Sequence, residues 1–140
     1  MDIAVLDSNG AGIGQTIIKK LKKELNNINI IALGTNTFAT SNMVKTGANV
    51  GISGEKAICS FLKTNKIDCI ISPISVIYNG TMDSEISSLI CKAFFSVPTT
   101  KYILPLKHNN IYIPGTQNLQ IKDIIEEIVY NIHTNYINLQ

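Results

Sequence analysis

The first fourteen residues restrict the fold of this chain more than any other stretch: Met-Asp-Ile-Ala-Val-Leu-Asp, then Ser-Asn-Gly-Ala-Gly-Ile-Gly. Ile3-Ala4-Val5-Leu6 is an apolar run of strand length, with Asp7 at its carboxyl end. Gly10, Gly12 and Gly14 follow at alternate positions. The helical spacing of Ile13, Ile17, Ile18, Leu21 and Leu25 begins at once. Strand, glycine turn and helix in immediate succession form the opening unit of a doubly wound α/β domain, in which the turn offers backbone N–H groups to a phosphate. The feature points to a kind of ligand site and to no particular reaction.

The alternation continues along the chain. A first strand over 2–7 and a helix over 13–26 end at Asn26-Asn27, and Ile28 to Leu33 reads as a second strand closing on Gly34. Thr35-Asn36-Thr37 caps a short helix from Phe38 to Lys45, which Gly47 terminates. Ala48 to Gly51 is a short third strand, and Ser53 is expected to cap a helix over 54–65. Asp68 to Ser72 forms a fourth strand stopped by Pro73, with a loop over 73–80. Thr81 then caps a helix to Ser96, with Asp83 and Glu85 matched to its positive end. Tyr102 to Leu106 is a fifth strand. Lys107-His108-Asn109-Asn110 is too short for a helical crossover, so Ile111-Tyr112-Ile113 is expected as an antiparallel edge strand. A last helix covers 119–137, with Ile121, Ile125, Ile128 and Ile132 on one stripe.

These elements predict one α/β domain over 1–140: about five parallel strands, an antiparallel edge strand and five helices. The strand order expected is 3-2-1-4-5, with 2-1-3-4-5 as the alternative. Ligands in such sheets bind beyond the carboxyl ends of the strands, which nominates 7–14, 34–37, 72–80 and 107–110.

Composition narrows the function. No apolar run approaches the roughly 18 residues of a membrane span, and the opening residues lack the basic stretch of a signal peptide, so a cytoplasmic protein is expected. Net charge is only +2 and there is no arginine; the dense run Lys19-Lys20-Lys22-Lys23 is the solvated face of the first helix. Nucleic acid is therefore not an expected partner. Without a guanidinium fork, any phosphate must be held by backbone, lysine or hydroxyl groups. Cys59, Cys69 and Cys91 are odd in number and form no C-x-x-C pair, so buried thiols are expected, with neither a disulfide framework nor a metal site.

The glycine turn is not the G-x-G-x-x-G fingerprint of dinucleotide sites. Its end, Gly12-Ile13-Gly14, resembles the T-G-x-x-x-G-I-G turn of short-chain dehydrogenases, with Asp7-Ser8 where that family has Thr-Gly. Asp68-Cys69-Ile70-Ile71-Ser72-Pro73-Ile74-Ser75 echoes the cofactor-lining strand of the same enzymes. The likeness stops there, because no tyrosine is followed by lysine four positions on. Two readings of Gly10, Ala11, Gly12, Ile13 and Gly14 stand: a cradle for a nucleotide or dinucleotide phosphate, or a turn that only lets the first helix pack closely on the sheet. At the end of strand two, where an acid usually holds a ribose hydroxyl, stand Gly34-Thr35-Asn36. Thr35 and Asn36 either contact a ribose or merely cap the next helix.

Ser72 and Ser75 line the expected cleft. Asp7 could orient a ribose, hold a metal-bound water or act as a base; as a lone carboxylate it could equally tie the turn. His108 could titrate near neutrality or lie on the surface. A phosphorelay receiver would match Asp7, Ser72 and Lys107 in place, but its acceptor aspartate is absent from 48–53.

From end to end the chain resembles a small bacterial family known as domain of unknown function 3842. The matching stretches are Asp7 to Gly14, Ile31 to Asn36 with Ala39-Thr40-Ser41, Gly47-Ala48, Gly54-Glu55 with Ala57, Ser72 to Ser75, and Ile103 to Leu106. The resemblance implies a three-layer Rossmann-like fold with a glycine loop and brings no activity with it. It also implies glycine where Ser8, Ser72 and Ser75 stand, so these serines narrow the site or add hydroxyls to it. The function expected is that of a small nucleotide- or dinucleotide-binding protein, with NAD(P) or another nucleotide as ligand. A regulatory or assembly module without a small ligand is the alternative, its apolar helices compatible with a homo-oligomer. A small enzyme using Asp7 or His108 is the third reading.

Overall fold

The computed structural model describes residues 1–78, 85–107 and 110–137. Five strands form one sheet: β1 (Asp2–Asp7), β2 (Asn29–Gly34), β3 (Val50–Ser53), β4 (Cys69–Pro73) and β5 (Thr100–Leu104). Their order is β3-β2-β1-β4-β5 and every neighbouring pair is parallel. The helices are α1 (Gly12–Glu24), α2 (Thr37–Thr46), α3 (Glu55–Thr64), α4 (Ser88–Ser96) and α5 (Ile121–Ile132). The order 3-2-1-4-5, the parallel strands and the five helices agree with the sequence pattern.

Strand alternation divides the core into two. Ile3, Val5, Ile30, Ala32, Cys69, Ile71 and Leu104 face α1, α5 and the inner side of α2. Ala4, Leu6, Ile31, Leu33 and Ile70 face α3 and α4 on the other side. Ile3 through Leu6 are all fully buried. Complete burial of a large aliphatic side chain stabilises by about 1.5–3 kcal/mol, so β1 is locked as the central strand. Its carboxyl end lies beside β4, where the winding direction reverses.

The expected antiparallel edge strand does not form. β5 stops at Leu104 because Pro105 has no N–H to give a ladder, and the Leu106 N–H turns back onto the Leu104 carbonyl at 2.9 Å. Ile111 and Tyr112 are exposed, and the Ile113 carbonyl accepts the Thr116 N–H and hydroxyl in a turn.

Other boundaries shift for local reasons. β3 begins two residues late because Asn49 already pairs with Ile30: its N–H donates to the Ile30 carbonyl (2.8 Å) and its side chain accepts the Ile30 N–H (2.9 Å). Ser53 ends β3 instead of capping α3, and its hydroxyl donates to Thr40 Oγ1; Gly54, at φ +89°, takes the cap position. Ile74–Ile77 makes one 3₁₀ turn where a loop was expected. α4 starts late, with Ser87 accepting the Ile90 N–H; Thr81 and Asp83 lie outside the described residues. The α5 stripe runs through Ile124, Ile125, Ile128, Val129 and Ile132, leaving Ile121 exposed. Among the described residues no helix is long and apolar enough to cross a membrane.

Cys69 is buried and its thiol is pushed up to about 12, first by burial and then by the Asp68 charge. Cys59 and Cys91 are only half-buried, on α3 and α4, and all three are free thiols.

Candidate functional site

The loop from Ser8 to Ala11 joins the central strand to α1. Its carbonyls all accept protein donors, whereas the N–H groups along it and at the start of α1 are only partly matched. The Ser8 carbonyl accepts the Ala11 N–H (2.8 Å). The Gly10 carbonyl accepts from Gln15 Nε2 (3.2 Å) and Asn42 Nδ2 (3.0 Å). The Asn9 carbonyl accepts from Asn36 Nδ2 (3.0 Å). The N–H groups of Gly10, Gly12 and Ile13 meet no protein acceptor among the described residues. A helix start with unmet donors carries partial positive charge.

The three glycines do different jobs. None has positive φ; the left-handed residues are Asn9 (φ +53°) and Ala11 (φ +56°). Such a backbone at alanine costs about 1–3 kcal/mol and persists only where its surroundings hold it. Ala11 is buried and tied to Ser8. A Cβ on Gly14 would stand 2.7 Å from Met43 Sδ and 3.1 Å from Asp7 Oδ2, so Gly14 serves close packing. A Cβ on Gly12 would meet nothing within 4 Å. A Cβ on Gly10 would lie 3.3 Å from the ring of Phe38, an exposed aromatic in the first turn of α2.

Asp7 pins this loop. One carboxylate oxygen accepts the Ser8 N–H (2.8 Å) and the other the Gly14 N–H (2.7 Å). Burial raises its pKa above the usual range, against the lowering effect of these two bonds. With both oxygens engaged and only 7% of the residue exposed, Asp7 holds the turn against the helix.

Asn36 caps α2 by accepting the Ala39 N–H (2.7 Å). Its amide, however, also joins a cluster whose centre the sequence pattern missed. Glu85 Oε2 accepts the Thr35 hydroxyl (2.6 Å), Asn36 Nδ2 (2.9 Å) and the Asn9 N–H (3.0 Å). The Thr35 hydroxyl above all, then the Asn9 N–H, holds this carboxyl below its usual range. Glu85 is placed by its neighbours: Ile86 is buried in the core against α4, and Ser87 caps that helix. Its charge pattern suggested a helix first turn, and nothing in the spacing reveals a contact across 76 residues to Asn9.

Ser72 is 1% exposed and its hydroxyl donates to the Pro73 carbonyl (3.0 Å), so it is engaged within the chain. Ser75 is half-buried in the 3₁₀ turn. Ser8 is buried beneath the loop. His108 lies outside the described residues. No group of three or more His, Cys, Asp or Glu side chains able to hold a metal ion occurs among the described residues.

The family model described as "Domain of unknown function (DUF3842)" matches residues 2–137, and the chain belongs to that family. No curated protein matches it by sequence. Among solved structures it is similar to a dodecameric FMN-dependent UbiX-like decarboxylase from Escherichia coli O157:H7. The likeness covers 97% of this chain and 94% of that one, with a TM-score of 0.52 and 10% identity. At that identity the similarity is one of fold.

Proposed function

We propose that this member of the family binds a nucleotide at the carboxyl end of its central strand, through backbone N–H groups of the 8–14 loop. The observation that carries the reading is the asymmetry of the loop: its carbonyls are taken up by protein donors, while the N–H groups of Gly10, Gly12 and Ile13 meet no acceptor among the described residues. Such a surface favours an anion. With no arginine in the chain, backbone is the natural phosphate holder.

The open space at Gly12 supports close approach of a ligand, because packing does not require a glycine there. Phe38, 66% exposed beside Gly10, offers a flat apolar face to an aromatic base or flavin ring. The fold neighbour is FMN-dependent, which adds FMN to NAD(P) and other nucleotides as candidate ligands.

The test is a thermal-shift panel of FMN, NAD, NADP, ATP and S-adenosylmethionine on parent protein and on Gly12→Val. A ligand that binds only the folded state adds about 2.7 kcal/mol of stability at a hundredfold excess over Kd. We expect one class of nucleotide to raise the Tm of the parent, and Gly12→Val to melt close to the parent but lose that shift. No shift with any nucleotide would remove the reading.

A second reading, assembly without a small ligand, has one observation behind it. A groove between α3 and α4 is lined by Cys59, Leu62, Leu89, Ala93 and Val97 together with Lys63 and Lys92, and Leu89 is 57% exposed. The fold neighbour is dodecameric. Sedimentation of Leu89→Lys against the parent tests it: a parent oligomer that dissociates on substitution supports this face, and an unchanged sedimentation coefficient removes it.

A further inference from the structure

We infer that Glu85 supplies, from the segment before α4, the ribose-hydroxyl acceptor that the end of β2 lacks, and that it makes the site select a ribose with a free 2′-hydroxyl over one bearing a 2′-phosphate. The inference rests on the nucleotide reading above and names the sugar that the site accepts.

In doubly wound sheets an acid at the end of the second strand receives the ribose 2′-hydroxyl, next to a pyrophosphate on the first helix. Here that strand ends in Gly34-Thr35-Asn36, without an acid. Glu85 restores one at the same place. Its Oε2 is bound at once to the tip of β2, through Thr35 and Asn36, and to the start of the glycine loop, through Asn9. Three donors on one oxygen fix the carboxylate and keep it ionised. The other oxygen, Oε1, has no protein donor among the described residues, and Glu85 is exposed. A fixed carboxylate with one oxygen saturated and one free accepts a hydroxyl and repels a phosphate.

The same geometry argues against Glu85 as a plug of the phosphate site. A plug would take the donors at the start of α1. Of the backbone donors in this loop Glu85 takes the Asn9 N–H, and those of Gly10, Gly12 and Ile13 meet no acceptor among the described residues. Thr35 and Asn36, whose roles were divided between ribose contact and helix capping, gain a third one: they position the acid.

The experiment is calorimetric titration of NAD, NADP and FMN into the parent, Glu85→Gln and Glu85→Ala, with a thermal melt of each to confirm folding. NADP would forfeit a hydrogen bond to a charged group, so the parent is expected to bind NAD about tenfold or more tighter than NADP. Glu85→Gln keeps the side-chain size; it should weaken NAD, narrow the gap to NADP and leave FMN, which has no ribofuranose ring, unchanged. Equal NAD and NADP binding by the parent overturns the inference. So does binding of FMN alone, although that result keeps the phosphate reading of the glycine loop. Tighter binding of every probe by Glu85→Ala makes Glu85 a plug and also overturns it. No binding of any probe by any variant removes both this inference and the nucleotide reading beneath it.

Discussion

Gly34→Ala is expected to destabilise the protein by about 3 kcal/mol or more, lowering Tm by about 10 °C. A Cβ at this position would stand 2.1 Å from Thr40 Oγ1, 2.6 Å from the Thr40 nitrogen and 2.9 Å from its Cα. Two of those atoms are backbone of α2 and cannot rotate away. Thr40 is itself fixed: its N–H and hydroxyl both donate to the Asn36 carbonyl, its oxygen receives the Ser53 hydroxyl, and it is 7% exposed. The whole first turn of α2 must therefore lift off the end of β2. Gly34 has no positive φ, so the cost is one of space and not of backbone conformation. Gly12→Ala is the control, with open space around the new methyl and an expected change within about 0.5 kcal/mol. Chemical denaturation of the two variants checks the pair. A Gly34→Ala midpoint equal to the parent's would show that α2 does not rest on β2 as described.

Asp7→Ala is expected to cost about 2–4 kcal/mol at neutral pH. It leaves the Gly14 and Ser8 N–H groups without an acceptor at a buried helix start, and an unmet buried donor costs about 1–3 kcal/mol. Relief from burying the carboxylate offsets part of that loss. The same residue sets a pH dependence. Its pKa in the folded protein lies above the ordinary 3.8, chiefly through burial. Between 3.8 and the raised value the folded state binds more protons than the unfolded state. The Asp7 contribution to stability is thus largest below 3.8 and is lost as pH rises through the folded value. Asp7→Asn keeps one of the two accepted bonds and removes the titration, so its stability profile should be flatter than the parent's over that window. Urea midpoints measured from acid to neutral pH give both results. Parallel profiles for parent and Asp7→Asn would contradict the burial of this carboxylate.

Much of the fold is legible because it depends on local periodicity. The apolar run Ile3 to Leu6, the α1 spacing and the strand-helix alternation led to the parallel sheet and its order. The failures have local physical causes. Pro105 ended β5 before an edge strand could follow, a stop visible in the sequence but outweighed by the apolar residues 111–113. Asn49 and Ser53 acted as side-chain partners to distant backbone and hydroxyl groups, which displaced β3 and the α3 cap.

The site is less legible, for a reason of range. Asp7 and the glycine loop are contiguous, so their pattern could be read; even so, only three-dimensional neighbours separate Gly14, which packs, from Gly12, which does not. By its spacing Phe38 is an ordinary helix residue, and only its place beside Gly10 in three dimensions brings it to the site. Glu85 contacts Asn9, Thr35 and Asn36 across at least 49 residues of chain, and no spacing rule reaches that far. Ser72 stood at the right strand end, but its hydroxyl turns onto the neighbouring carbonyl.

On the proposed reading, the N–H groups of Gly10, Gly12 and Ile13, which meet no acceptor among the described residues, bind the phosphate of a nucleotide. Amide NMR shifts of isotopically labelled parent protein, titrated with NAD and separately with FMN to millimolar concentration, test it most directly. Saturable shifts of the Gly10, Gly12 and Ile13 amides are expected, with Asn9, Thr35 and Asn36 following for the ligand that carries a ribose. Unmoved amides in this loop, or shifts confined to the groove between α3 and α4, would contradict it.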